Sequence, residues 1–203
     1  MKIIELNDIK KVYRNHIVLD GITCDFLQGN TYLLVGVNGS GKSTLLKGIL
    51  GLIKFNSGKL VFSRQNIAYI PERFSFPAFS TIHSFLNCLL PKKENVPYQI
   101  LKDWGLYEDR NKLLKNLSKG MAQKVLIIQS MLIKAKVFIF DEPLSGLDHN
   151  MQKRFFDEIV RLKNPDTTII IATHQVDAFK QYANYIYELV DGKINVQINS
   201  LSS

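Results

Sequence analysis

An α/β fold built on a parallel sheet is predicted by three observations. Short apolar, β-branched runs at residues 31–35, 137–140 and 167–172 alternate with stretches of helical period. Each run passes at its C-terminal end into polar chemistry, at Gly36, Asp141 and Thr173-His174. Apolar residues make up 46% of the 203 residues, enough for a sizeable core in one domain.

The elements follow in order. Residues 3–6 and 17–26 read as strands joined by the polar Tyr13-Arg14-Asn15, an antiparallel β subdomain at the N-terminus. Gly29-Asn30 reads as a turn, and the strand at 31–35 runs directly into the loop Gly36-Val-Asn-Gly-Ser-Gly-Lys-Ser-Thr44. Beyond it Leu45, Leu46, Ile49 and Leu50 share one helical face, which Gly51 ends. Residues 58–62 and 67–70 are short strands. From Glu72 to about residue 132 helical signals replace strand signals. Ser80-Thr81 cap a helix that ends at Leu90 before Pro91, a second covers 98–104 before Gly105, and Ser118 starts a long one through Met131. This block reads as a helical insert in the α/β core. The sheet resumes at 137–140, a helix follows at 151–162, then the strand at 167–172 and a short helix at 176–183. Residues 185–190 and 193–198 form a hairpin about Asp191-Gly192. The expectation is one domain over 1–203, with the insert at about 72–132 and no internal repeat.

Composition narrows the function classes. The net charge is +8, but no run of five basic residues occurs, so no nucleic-acid partner is expected. Cys24 and Cys88 have neither metal-ligand spacing nor the makings of a disulfide framework. The N-terminus lacks the apolar core of a signal peptide, and no stretch of about 18 apolar residues exists. The expected location is cytoplasmic; for work at a membrane, another chain must cross the bilayer.

The strand, glycine loop and helix are the context in which G-x-x-x-x-G-K-[ST] binds a nucleoside triphosphate, the P-loop NTPase core. Glycines let backbone N–H groups approach phosphate, and the helix N-terminus favours an anion. Lys42 reaches the β- and γ-phosphates, and Ser43 holds Mg²⁺. Alone, the loop fits a kinase, a GTPase or an ATPase. Asp141 ends a buried strand, where it can hold Mg²⁺, and Glu142 can polarise an attacking water; a solvated acidic turn is the plainer reading. His174 ends a similar strand and projects toward the same edge, as a phosphate or water contact or as a structural histidine.

Together these segments resemble the nucleotide-binding subunit of an ABC transporter over nearly the whole chain. Leu117-Ser118-Lys119-Gly120-Met121, about twenty residues before Asp141, resembles the family signature LSGGQ, with Lys and Met at its third and fifth places. Asp141-Glu142 match the acidic strand end, Leu144-Ser145-Gly146-Leu147-Asp148 the D-loop and His174 the switch histidine. The resemblance implies ATP and Mg²⁺ as ligands. It implies Tyr13 stacked on adenine; Gly36, Asn38, Gly39, Ser40, Gly41, Lys42, Ser43 and Thr44 around the phosphates; Ser43, Glu72 and Asp141 at the metal; and Glu142, His174 and Lys42 in catalysis. Ser118 and Gly120 would reach the γ-phosphate of a second subunit in a head-to-tail dimer, with Asp148 crossing the interface. Glu72 departs from the family's usual glutamine; it can still coordinate Mg²⁺ but adds charge and loses a donor. A separate membrane-spanning permease is the implied partner, placing this chain on the inner membrane face. The expected role is the ATPase of an exporter of a drug, antimicrobial peptide or similar solute. The alternatives are a soluble ABC-type ATPase acting on nucleic acid or ribosomes, and haem or small-nutrient transport.

Overall fold

The computed structural model describes residues 1–63, 66–91 and 94–199. The expected domain span of 1–203 and its insert therefore include positions outside the described residues, 64–65, 92–93 and 200–203. The chain runs β1 (Lys2–Tyr13), β2 (His16–Leu27), β3 (Thr31–Val35), α1 (Lys42–Ile49), β4 (Ser57–Phe62) and β5 (Ile67–Ile70). It continues through α2 (Ile82–Asn87), α3 (Tyr98–Asp103), a 3₁₀ turn at Leu114–Asn116, α4 (Lys119–Leu132) and β6 (Val137–Asp141). It ends with α5 (His149–Leu162), β7 (Thr168–Thr173), α6 (Val176–Lys180), β8 (Tyr185–Val190) and β9 (Lys193–Ile198).

Two sheets form. β2-β1-β4 is antiparallel, the expected N-terminal subdomain. The larger sheet has the order β5-β6-β7-β3-β8-β9, parallel throughout except for the β8–β9 hairpin. Every residue of β3, β6 and β7 is buried, as strands covered on both faces must be. Side-chain alternation sorts them into two cores. Leu33, Val35, Phe138, Phe140, Ile169 and Ile171 pack with the helical block and α5. Tyr32, Leu34, Val137, Ile139, Ile170 and Ala172 pack with α1 and the antiparallel sheet. Each fully buried aliphatic side chain contributes about 1.5–3 kcal/mol relative to exposure.

The helical insert is present as α2, α3, the 3₁₀ turn and α4. Trp104 is fully buried at its centre, and Arg154 of α5 reaches it, 2.7 Å from Asp103 and over the indole ring. Several boundaries differ from the sequence reading. β1 extends to Tyr13 because β2 and β4 pair along it, with register shifts around Asp8, whose φ is +50°. α2 stops at Asn87, where the Asn87 side chain turns to accept the Val96 N–H at 2.8 Å. α6 stops at Lys180, and Tyr182 N–H and Ala183 N–H close tighter i→i−3 turns. No helix among the described residues is long and apolar enough to cross a membrane.

Candidate active site

The carboxyl ends of β3, β6 and β7 lie side by side, with Val35 opposite Thr173 and Asp141 opposite Ala172. Ligands of open α/β sheets bind at that edge. A cavity of about 530 Å³ opens there. It is lined by Tyr13, Asn38, Gly39, Gly41, Lys42, Ser43, Thr44, Glu72, Asp141, Glu142 and His174, all expected from the sequence.

Its floor is the turn from β3 into α1. Gly41 has φ +105°, and a methyl there would meet Val18 and Leu19 at 3.0–3.1 Å, so the tight turn requires glycine. α1 starts without a side-chain cap, which leaves its first N–H groups for an anion. Lys42 Nζ donates to the carbonyls of Gly36 (2.7 Å) and Val37 (3.1 Å), folding the ammonium onto its own loop. A phosphate oxygen is the stronger, charge-assisted acceptor for that group.

Asp141 is 1% exposed, and neither carboxyl oxygen has a hydrogen-bond partner. Burial pushes its carboxyl above the usual range; Glu72 and Glu142 add to this, while Ser43 and Lys47 oppose it. The Ser43 hydroxyl is near enough to act on it without forming a well-made hydrogen bond. Two orphaned hard oxygens beside a serine hydroxyl fit Mg²⁺. Among the described residues no three Asp, Glu, His or Cys side chains are placed to hold a metal ion together, so the remaining ligands fall to phosphate oxygens and water, which Mg²⁺ favours.

Because the folded carboxyl titrates above its unfolded value, its burial costs nothing below the unfolded value and destabilises increasingly as pH rises through the folded one. Asp141→Asn is therefore expected to raise Tm at neutral pH, by about 2–4 °C per kcal/mol relieved. The gain should vanish below about pH 4. Mg²⁺ should also stop raising the Tm of the ATP-bound variant. Calorimetry across pH checks this, and an unchanged Tm at neutral pH counts against an uncompensated buried charge.

Glu142 turns the chain out of β6. Its φ is +51°, a left-handed conformation uncommon outside glycine, while its N–H donates to Ala172 O at 2.8 Å. Its side chain is held by the end of β7. Oε2 accepts from the Thr173 hydroxyl (3.2 Å), and Oε1 accepts from the His174 N–H (3.1 Å) and lies 3.0 Å from His174 Nδ1. Such an over-determined, strained residue at a ligand edge is typical of active sites.

The other expected residues lie apart from this cavity. Gly36 and Ser40 line a second cavity behind the loop, facing the β8–β9 turn. The Ser118 hydroxyl accepts from Met121 N–H (3.2 Å) and the Asp148 carboxylate from Met151 N–H (3.0 Å), each capping its own helix. Ser118 opens onto a groove of about 420 Å³ with Phe74, Phe76, Leu117 and Lys119, and Gly120 packs against Gly146. His16, Val18 and Arg73 also line this cavity and escaped the sequence reading, and Ser145, read only as part of the D-loop stretch, lines it too. The available signal for the first two was the pair of strands joined at Tyr13-Arg14-Asn15, since their pairing sets His16 opposite Tyr13; adjacency to Glu72 was the only one for Arg73.

A family model described as ABC transporter matches residues 19–145. The chain is 31% identical to the uncharacterized ABC transporter ATP-binding protein YthP of Bacillus subtilis, covering 89% of this chain and 79% of that protein. It is 33% identical to the zinc import ATP-binding protein ZnuC of Wigglesworthia glossinidia brevipalpis, covering 86% and 77%. Further relatives are named for import of spermidine/putrescine and phosphonates; the chain spans 60% of the length of the spermidine/putrescine protein of Mycoplasma capricolum. A solved structure described as the ATP binding subunit of an ABC transporter matches with a TM-score of 0.81 at 26% identity, covering 97% of this chain and 90% of that one.

Proposed function

The chain belongs to the ABC transporter family as an ATP-binding subunit, and on that premise we propose that its ATPase activity draws a small charged solute inward through a separate permease. The observation that carries the catalytic part is the convergence of Lys42, Asp141, Glu142 and His174 on one cavity at the ends of three parallel strands. ATP lays its phosphates along the N–H groups of residues 39–44, and Lys42 leaves Gly36 O and Val37 O for the β- and γ-oxygens. Tyr13, 45% exposed with Lys11 Nζ 4.8 Å from its ring centre, offers a face to adenine. Glu142, aimed by Thr173 and His174, orients the attacking water and takes its proton. Ser43 and Asp141 would hold Mg²⁺, which would supply positive charge against the transferred phosphoryl group, and Glu72 stands on the cavity wall beside them.

Ser118 and Gly120 lie outside their own chain's cavity, so any phosphate contact from them goes to a second copy. We place the head-to-tail dimer there, with the 1–203 unit as one cassette. We assign the permease contact to the apolar side of the groove that Ser118 borders, leaving the Ser118 hydroxyl to the second copy. That groove has an apolar wall of Phe74, Phe76 and Leu117, and Phe79 beside it is 87% exposed with Lys115 above its ring.

Inward transport replaces the exporter expectation because relatives of this chain are import proteins for zinc, spermidine/putrescine and phosphonates. The test is co-purification with the membrane protein encoded beside it, followed by flux in proteoliposomes supplied with a polyamine, Zn²⁺ or a phosphonate. ATP-dependent flux toward the side carrying this chain is expected. Flux of an amphipathic drug or peptide in the opposite direction contradicts import.

A further inference from the structure

Residues 142–148 connect the catalytic strand β6 to α5, and side-chain amides from two helices grip this connection. Gln123 of α4 is 2% exposed and its Nε2 donates to Pro143 O at 2.8 Å. Gln152 of α5 donates to Leu147 O at 3.0 Å. One turn before Gln123, on the same face of α4, Gly120 meets the loop backbone directly: a methyl on Gly120 would stand 2.4 Å from Gly146 O. Gly146 itself has φ +82°, so both partners in this contact need glycine. Leu144 and Leu147 are buried between these holds and anchor the loop's inner side.

We propose that Gln123 is a positioning residue for hydrolysis, joining the Ser118 end of α4 to Glu142 through the Pro143 carbonyl. Pro143 follows Glu142 directly, and Glu142 occupies a left-handed conformation that it does not favour by itself. The Gln123 amide fixes the peptide on the C-terminal side of Glu142. The Ala172 carbonyl and the end of β7 fix its other side. Without the Gln123 bond, the Pro143 carbonyl is left buried and unpaired, and Glu142 is free to relax toward ordinary backbone angles, carrying its carboxylate off the in-line water. The same amide ties α4 to the loop, so a displacement of Ser118 is passed toward Glu142.

The inference rests on Glu142 being the group that orients the water, and the test separates the two. Gln123→Met keeps the side chain's length and removes its donor. In steady-state hydrolysis by the purified chain with its permease, kcat should fall at least tenfold. ATP affinity by calorimetry should stay within twofold, because no nucleotide contact is touched. In the Glu142→Gln background the same substitution should change the residual rate by less than twofold, an absence of additivity that a merely structural role does not produce. If Gln123→Met does not fold, Gln123→Asn, one methylene too short to reach the carbonyl, takes its place with the same expectations. A kcat within twofold of the unchanged chain overturns the proposal, as does a full tenfold loss persisting in the Glu142→Gln background. Undiminished hydrolysis by Glu142→Gln alone overturns instead the assignment of Glu142, and the proposal with it.

Discussion

Glu142→Gln should bind ATP as the unchanged chain does and hydrolyse it at least a hundredfold more slowly, within the roughly 10²–10⁴-fold that a positioned base contributes. The substitution is nearly isosteric. With its amide oxygen in the place of Oε1, glutamine still accepts from the His174 N–H, and its NH₂ in the place of Oε2 can donate to the Thr173 hydroxyl, which turns to accept. What is lost is the capacity to take a proton from water and the charge facing the imidazole of His174, 3.0 Å away. Phosphate release at saturating ATP measures the rate, and calorimetry measures the binding. Steady-state hydrolysis equal to that of the unchanged chain would remove Glu142 from the mechanism.

Lys42→Ala should fail one step earlier. Lys42 is 6% exposed and supplies a cation to the floor of the cavity. Hydrogen bonds to charged groups are worth about 1.5–3 kcal/mol each, so ATP affinity should drop by about 10- to 100-fold. The free chain should also melt a few degrees lower, because the carbonyls of Gly36 and Val37 lose their donor. The two substitutions thus separate binding from chemistry: one weakens the Kd, the other kcat. Equal ATP affinity in Lys42→Ala and the unchanged chain would count against this cavity as the nucleotide site.

Whatever is local in sequence was legible there. Gly41, Lys42 and Ser43 lie within one turn of each other, and β3, β6 and β7 are uninterrupted apolar runs because both their faces are covered. The segment after Leu6 in β1 was not legible. Asn7, Asp8, Lys10 and Lys11 break strand alternation, and pairing with β2 and β4 holds them in place instead. The end of α2 was equally hidden, since the Asn87 side chain stops the helix by binding a backbone group nine residues on. In the site, residue types announced Asp141, Glu142 and His174, but the grip of Thr173 on Glu142 depends on how β6 and β7 pair. Gln123 gave no signal, because its partner is a backbone carbonyl twenty residues away that any sequence would supply. Ser118 was legible as a helix cap, and its motif implies a phosphate contact as well. Its hydroxyl caps its own helix outside the Lys42 cavity, so the second role needs another subunit.

The proposed division of labour between two copies is tested most directly by native mass spectrometry of Glu142→Gln with Mg²⁺ and saturating ATP, with and without Ser118→Arg. Glu142→Gln should fly as a dimer carrying two ATP molecules, and adding Ser118→Arg should return it to monomers each holding one. A monomer with one ATP in the Glu142→Gln sample, or a dimer unaffected by Ser118→Arg, would mean that the Lys42 site is not completed by Ser118 of another subunit.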